Sequence, residues 1–110
     1  LGGTAVLAAA ARIPEAAAVA TIGAPFDPGH VRGLLQPAAA EIESAGEAKV
    51  MLAGRAFRIR RQFLDDLAGH NISERISALR RALLIFHSPR DTTVDIGNAA
   101  QIYAAARHPK

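Results

Sequence analysis

Few residues in this sequence could do chemistry. Asp91 follows an apolar run, Ala82 to His87, across Ser88-Pro89-Arg90. The strand-like run before it suits a site carboxylate, and a plain turn former after Ser-Pro is the alternative. The four histidines, His30, His70, His87 and His108, share no i, i+4 or paired-carboxylate spacing of the kind that holds a metal. His87 ends the apolar run and reads as a packed or hydrogen-bonded ring. His30 and His70 each follow a glycine and read as solvated loop residues. Asp65-Asp66 reads as the polar side of a short helix. Arg55, Arg58, Arg60 and Arg61 could bind an anion, but Phe57 is the one aromatic among them, and a solvated hairpin face is the better reading. Asn71-Ile72-Ser73 matches a glycosylation sequon, with no secretory signal to support its use. Leu1-Gly2-Gly3-Thr4 precedes an alanine-rich helix with no strand before it. There is no cysteine, which excludes disulfides and thiolate metal sites, and no cofactor is expected.

The elements that must position these residues follow from pattern. Thr4 to Arg12 lacks internal Gly or Pro and predicts a helix ending before Pro14. Ala18 to Ile22 turns β-branched and is bounded by Pro14 and Gly23-Ala24-Pro25, which predicts a buried strand. Phe26-Asp27-Pro28-Gly29 is a turn cluster, and His30 to Ile42 predicts a helix interrupted at Pro37. Lys49 to Arg61 alternates on both sides of Gly54-Arg55 and predicts a β-hairpin with a Gly-led turn. Gln62 to Ala68 returns to helical spacing and stops at Gly69. Asn71 and Glu74 fit a capping box, after which Ile72, Ile76, Leu79 and Leu83 recur at helical spacing. Ala82 to His87 predicts a second buried parallel strand, so helix and strand signals meet near Arg81. Asp95 can cap a last helix, Ile96 to Arg107, with an inner stripe of Ile96, Ala99, Ala100, Tyr103 and Ala106.

Buried strands alternating with helices imply an α/β fold. Two parallel strands do not make a stable open sheet alone, so the pattern looks like the later part of a larger domain. In this order of elements, Leu1-Gly2-Gly3 resembles the turn just after the nucleophile elbow of an α/β-hydrolase, the Gly-x-Ser-x-Gly motif continuing as Ser-Leu-Gly-Gly. The fold class this resemblance implies is a partial α/β-hydrolase fold over residues 1–110, with later parallel strands, flanking helices and a cap insertion at 26–81 that carries the hairpin. Leu83 to Val94 then resembles the strand and loop that carry the acid of the catalytic triad. The resemblance implies Asp91 as that acid, the Leu1 backbone amide as an oxyanion-hole donor, and Gly2 and Gly3 as elbow glycines. It places the nucleophilic serine one position before Leu1 and the histidine beyond Lys110, since His108 follows Asp91 too soon. The implied parent activity is esterase-like acyl hydrolysis, with this chain alone inactive. Leu52-Ala53-Gly54-Arg55 and Gln62-Phe63-Leu64-Asp65-Asp66 further resemble the hydrolase domain of bacterial proteins fused to an OsmC-like peroxide-reducing domain.

Composition bounds the remaining classes. The 110 residues allow one small domain, half of them are hydrophobic, and 25 are alanine. The net charge is only +3, and the 11 arginines are interspersed with acids, so no nucleic-acid partner is expected. No apolar run reaches a membrane span. The stretch from Gly2 to Ala11 lacks the basic leader of a signal peptide, and a cysteine-free chain suits the cytoplasm. The expected partners are a small ester-type substrate in the parent, and a second copy or the remainder of the parent chain against the open sheet. Self-association without catalysis is the alternative function.

Overall fold

The computed structural model describes residues 2–52, 54–69 and 71–110. In chain order its elements are α1 (Gly2–Ala9), β1 (Ala18–Ile22), α2 (Gly29–Leu34), α3 (Ala39–Ala45), β2 (Glu47–Leu52), β3 (Arg55–Arg60), α4 (Arg61–Ala68), α5 (Ile72–Ser77), β4 (Ala82–Phe86) and α6 (Gly97–Ala105), with short 3-10 turns at Ala10–Arg12 and Gln36–Ala38. They form two compact units. One joins residues 1–27 to residues 71–110, and the other is residues 28–70. The second unit lies within the stretch 26–81, and α5 packs with α1 and α6 in the first unit.

In the first unit β1 and β4 pair in parallel, Ala18 opposite Ala82 through Ile22 opposite Phe86. Helices α1, α5 and α6 supply Leu7, Ile76 and Ile102, each fully buried, to a core with Val19 and Leu83. Burying one such side chain is worth about 1.5–3 kcal/mol. Both strands were expected to be buried on two faces, and here the structure differs. Val19, Thr21 and Leu83 point into the core, while Ile22, Leu84 and Phe86 are 83%, 56% and 51% exposed. The helices of this unit cover one face of the sheet, and the other face stays apolar and open among the described residues.

Two further expectations are corrected in this unit. The helical spacing that ran on to Leu83 ends at Ser77, because Arg80 takes a left-handed φ of 48° and Leu83 enters the β4 ladder. The expected inner stripe of α6 holds only in part: Ala106 is buried as expected, but Ile96 and Tyr103 are exposed, and Ile102, which the stripe left out, is fully buried. Asn98 sets this phase: its Oδ1 accepts from Phe26 N at 3.0 Å, and 98, 102 and 106 share one face at i, i+4 and i+8.

In the second unit β2 and β3 form an antiparallel hairpin, closed across Leu52 and Arg55, with Gly54 at φ 75°. Arg55 thus belongs to β3 rather than to the turn, where Gly54 supplies the left-handed conformation. Ala53 itself lies outside the described residues. Val31, Leu35, Ile42, Ala48 and Leu64 form the core of this unit. Pro37 breaks the helical stretch into α2, a 3-10 turn and α3, as its ring requires. Glu47 holds Arg58 at 3.4 Å and Arg60 at 3.6 Å on the exposed hairpin face, contacts worth about 0.2–1 kcal/mol each. No helix of the described residues is long and apolar enough to cross a membrane.

Candidate active site

Parallel strands direct their carboxyl ends, and the loops that leave them, to one edge of the sheet, where α/β folds place their sites. In the first unit β1 leaves through Gly23 and β4 leaves through His87 to Asp91. Gly23 N donates to Phe86 O at 2.9 Å, so the two exits begin side by side.

Residues 23–26 then dock a different element at each step. Gly23 lies against Asp91: a Cβ on Gly23 would sit 3.2 Å from Asp91 Oδ2, and its φ of 57° is one that other residues rarely adopt. Ala24 lies against α1, where a Cβ on Gly3 would come 2.6 Å from the Ala24 Cβ. Only glycine lets the first turn of α1 approach this closely. Pro25 O accepts from the buried Thr4 hydroxyl at 2.7 Å. Phe26 N donates to Asn98 at the start of α6. One short segment thus fixes the first turn of α1, the Asp91 loop and α6 to each other.

The Asp91 loop is closed from within. Asp91 Oδ1 accepts from both Thr93 N and Val94 N at 2.9 Å. The Val94 amide, followed by the Thr93 amide, holds the carboxyl below the ordinary carboxylate value. Partial desolvation works against them, and a charge on His87, present only when its ring is protonated, adds the smallest contribution in their favour. Asp91 Oδ2 accepts none of these bonds. It faces His87 Nε2 at 3.8 Å, too far for a hydrogen bond, and its side chain keeps a quarter of its surface open. His87 Nε2 bonds the Val94 carbonyl at 2.8 Å instead. A carboxylate with one oxygen saturated and the other open is fixed in orientation and can still accept an N–H or O–H from a partner.

The expected site residues fall as follows. Asp91 stands at the strand exits, and Gly3 packs against Ala24. At Gly2 a Cβ would meet nothing within 4 Å, so packing gives no reason for glycine there. Leu1 lies outside the described residues, as do His70 and the side chain of His30. His87 is packed and hydrogen-bonded, with 2% of its side chain exposed, and His108 is exposed beyond α6. Asp65 and Asp66 are both exposed on α4. Asn71 caps α5, accepting from Glu74 N at 3.3 Å. Asp95 accepts from Gly97 N at 2.7 Å as α6 begins. Gly23, Thr4 and Asn98 were not singled out from sequence. A glycine directly after a buried parallel strand was the available signal for Gly23, and Thr4 and Asn98 gave none.

No protein-family model matches the chain, and no curated protein matches it. Among solved structures it is similar to the esterase domain of a Rhodothermus marinus protein, determined by crystallography. The two are 56% identical over 100% of this chain, with a TM-score of 0.81. This chain covers 45% of that one, so it spans less than half the length of the structure it matches. The α/β arrangement of a parallel sheet with helices is thus similar to that of an esterase domain, and the likeness is consistent with a hydrolase domain.

Proposed function

We propose that this stretch supplies the acid of a Ser-His-Asp triad in an ester-cleaving serine hydrolase, and that Asp91 is that acid. The observation that carries the reading is the Asp91 carboxylate itself. It stands where the two parallel strands end, with Oδ1 saturated by loop amides and Oδ2 open beside Gly23. In that role Oδ2 accepts the N–H of the triad histidine, holds the ring in one tautomer and stabilises the imidazolium as the serine gives up its proton. The serine attacks the ester carbonyl, an acyl-serine forms as the alcohol leaves, and water releases the acid. A depressed pKa suits this role, because the acid must stay ionised while the imidazole next to it gains charge.

In this reading the serine directly precedes Leu1, Gly2 and Gly3 complete the elbow, and the Leu1 amide is an oxyanion donor. The histidine follows on a later part of the polypeptide, residues 26–81 are the cap, and the substrate is a small ester. The match of all of this chain to less than half of an esterase domain supports a triad divided in this way. The resemblance to hydrolase domains fused to an OsmC-like domain belongs to the same proposal, and reading the coding sequence beyond Lys110 decides it. A fluorophosphonate probe tests the nucleophile. On the parent protein it should leave one adduct on the peptide that runs through Leu1-Gly2-Gly3, at the residue before Leu1, and the isolated 110 residues should take up none. Stoichiometric labelling of the isolated chain would contradict the reading.

A second reading, self-association without catalysis, is favoured by the open apolar sheet face of Ile22, Leu84 and Phe86. It predicts a concentration-dependent dimer of the isolated chain that Leu84→Lys disperses. A monomer at all concentrations would refute it.

A further inference from the structure

We propose that His87 is a positioning residue for Asp91: its Nε2–H anchors the Val94 carbonyl, which sets the loop amides that hold one carboxylate oxygen and leave the other open. The inference rests on the reading of Asp91 as the triad acid and adds a residue to it.

His87 follows β4 directly, and its ring is buried behind the loop it closes. A carbonyl oxygen can only accept, so the 2.8 Å contact with Val94 O makes Nε2 the protonated nitrogen. In the neutral ring Nδ1 then carries the lone pair. That atom is buried and has no hydrogen-bond partner among the described residues. A buried acceptor without a donor destabilises the fold, and a leucine or phenylalanine of similar volume would avoid it. Filling space therefore does not account for a histidine here, and the Nε2–H donor does.

Val94 is the point on which that donor acts. Its N–H binds Asp91 Oδ1 at 2.9 Å, its carbonyl binds His87, and its side chain is buried at 9% exposure. The residue is held on three sides, so its amide keeps its aim at the carboxylate. His87 stays 3.8 Å from Asp91 Oδ2 and does not occupy it. Gly23 keeps the flank of Oδ2 free of a side chain. Without the donor the Val94 carbonyl turns away, the amide pair on Oδ1 loosens, and Oδ2 loses its fixed direction.

The test compares His87→Gln, which keeps an N–H donor at similar reach, with His87→Leu, which has none, and His87→Asn, whose donor falls short of Val94. All are made in the intact parent protein, with folding checked by circular dichroism. The Asp91 carboxyl is titrated by 13C NMR, and hydrolysis of p-nitrophenyl acetate is followed in parallel. In His87→Leu and His87→Asn the Asp91 pKa should rise toward the ordinary carboxylate value, and kcat should fall about 10- to 100-fold at nearly constant KM, the scale of a misplaced catalytic group. In His87→Gln both should return close to wild type. If His87→Leu does not fold, His87→Asn is the donor-less arm. An Asp91 titration that is unchanged in the folded donor-less variants overturns the proposal, as does a folded His87→Gln that behaves like them. The titration does not depend on catalysis. A protein in which Asp91→Asn keeps full activity therefore sinks the triad reading, while the NMR arm still decides the role of His87.

Discussion

Replacing Gly3 with alanine would put a Cβ 2.6 Å from the Ala24 Cβ and 3.4 Å from the Ala24 Cα. Non-bonded carbons rest about 3.5–4.0 Å apart, so the overlap is about 1 Å. Neither side can yield easily. Ala24 is 2% exposed, and its neighbour Pro25 is tied to Thr4 in the same turn of α1. Overpacking of this kind costs about 1–3 kcal/mol, and the helical gain of alanine over glycine returns at most about 1 kcal/mol. Gly3→Ala should therefore destabilise by about 1–2 kcal/mol. Ala24→Gly alone should cost a similar amount, about 1–2 kcal/mol, through the lost methyl and added backbone freedom. Together they should not add. With the Ala24 methyl gone, the new Cβ has room, and Ala24→Gly becomes neutral or stabilising in the Gly3→Ala background. Urea unfolding of the four proteins measures the cycle, and the coupling should exceed about 1 kcal/mol. Gly3→Ala at wild-type stability, or Ala24→Gly costing the same in both backgrounds, would refute the close approach of α1 to the strand exit.

Two other variants probe the same edge. Thr4→Val keeps the shape but strips the buried donor from Pro25 O, so stability should fall by about 1–3 kcal/mol; thermal unfolding checks this, and an unchanged midpoint would show that the bond carries no weight. Asp91 has a folded pKa below its unfolded value of about 3.9, so its contribution is present above that value and lost as pH falls through the folded pKa. The stability advantage of wild type over Asp91→Asn, read from urea midpoints, should therefore shrink on acidification below that range, and a constant or growing gap would contradict the hydrogen-bonded carboxylate.

Local signals were legible where one force acted alone. The bounds of β1 follow from Pro14, the β-branched end and Gly23, and the structure places the strand at Ala18–Ile22. The break at Pro37 is a covalent fact of the ring. The end of α5 was hidden, because Leu79 and Leu83 continue the helical spacing and only the pairing of Leu83 with Val19 draws the chain into a strand. A left-handed arginine at position 80 leaves no trace in composition. The face of α6 was read correctly only at Ala106, because an apolar stripe was sought, whereas the inward stripe begins with a polar residue, Asn98, engaged by a backbone amide 72 positions away. The site shows the same division. The position of Asp91 just beyond a strand could be read from the apolar run before it. Its neighbour Gly23 lies 68 residues earlier in the chain and meets it only because β1 and β4 pair. The roles of Thr4 and His87 likewise depend on which carbonyl the fold brings to each.

The central claim is that Asp91 orients a catalytic histidine. Steady-state hydrolysis of p-nitrophenyl acetate by the parent protein, wild type against Asp91→Asn, tests it most directly. The substitution keeps an oxygen to accept the Thr93 and Val94 amides, so the loop stays folded while the charge at the open position is lost. A fall in kcat of about 10⁴-fold, with the protein still folded, is the predicted result. Activity within about tenfold of wild type, roughly 1.4 kcal/mol in barrier, would show that Asp91 is a turn residue and not the acid of the triad.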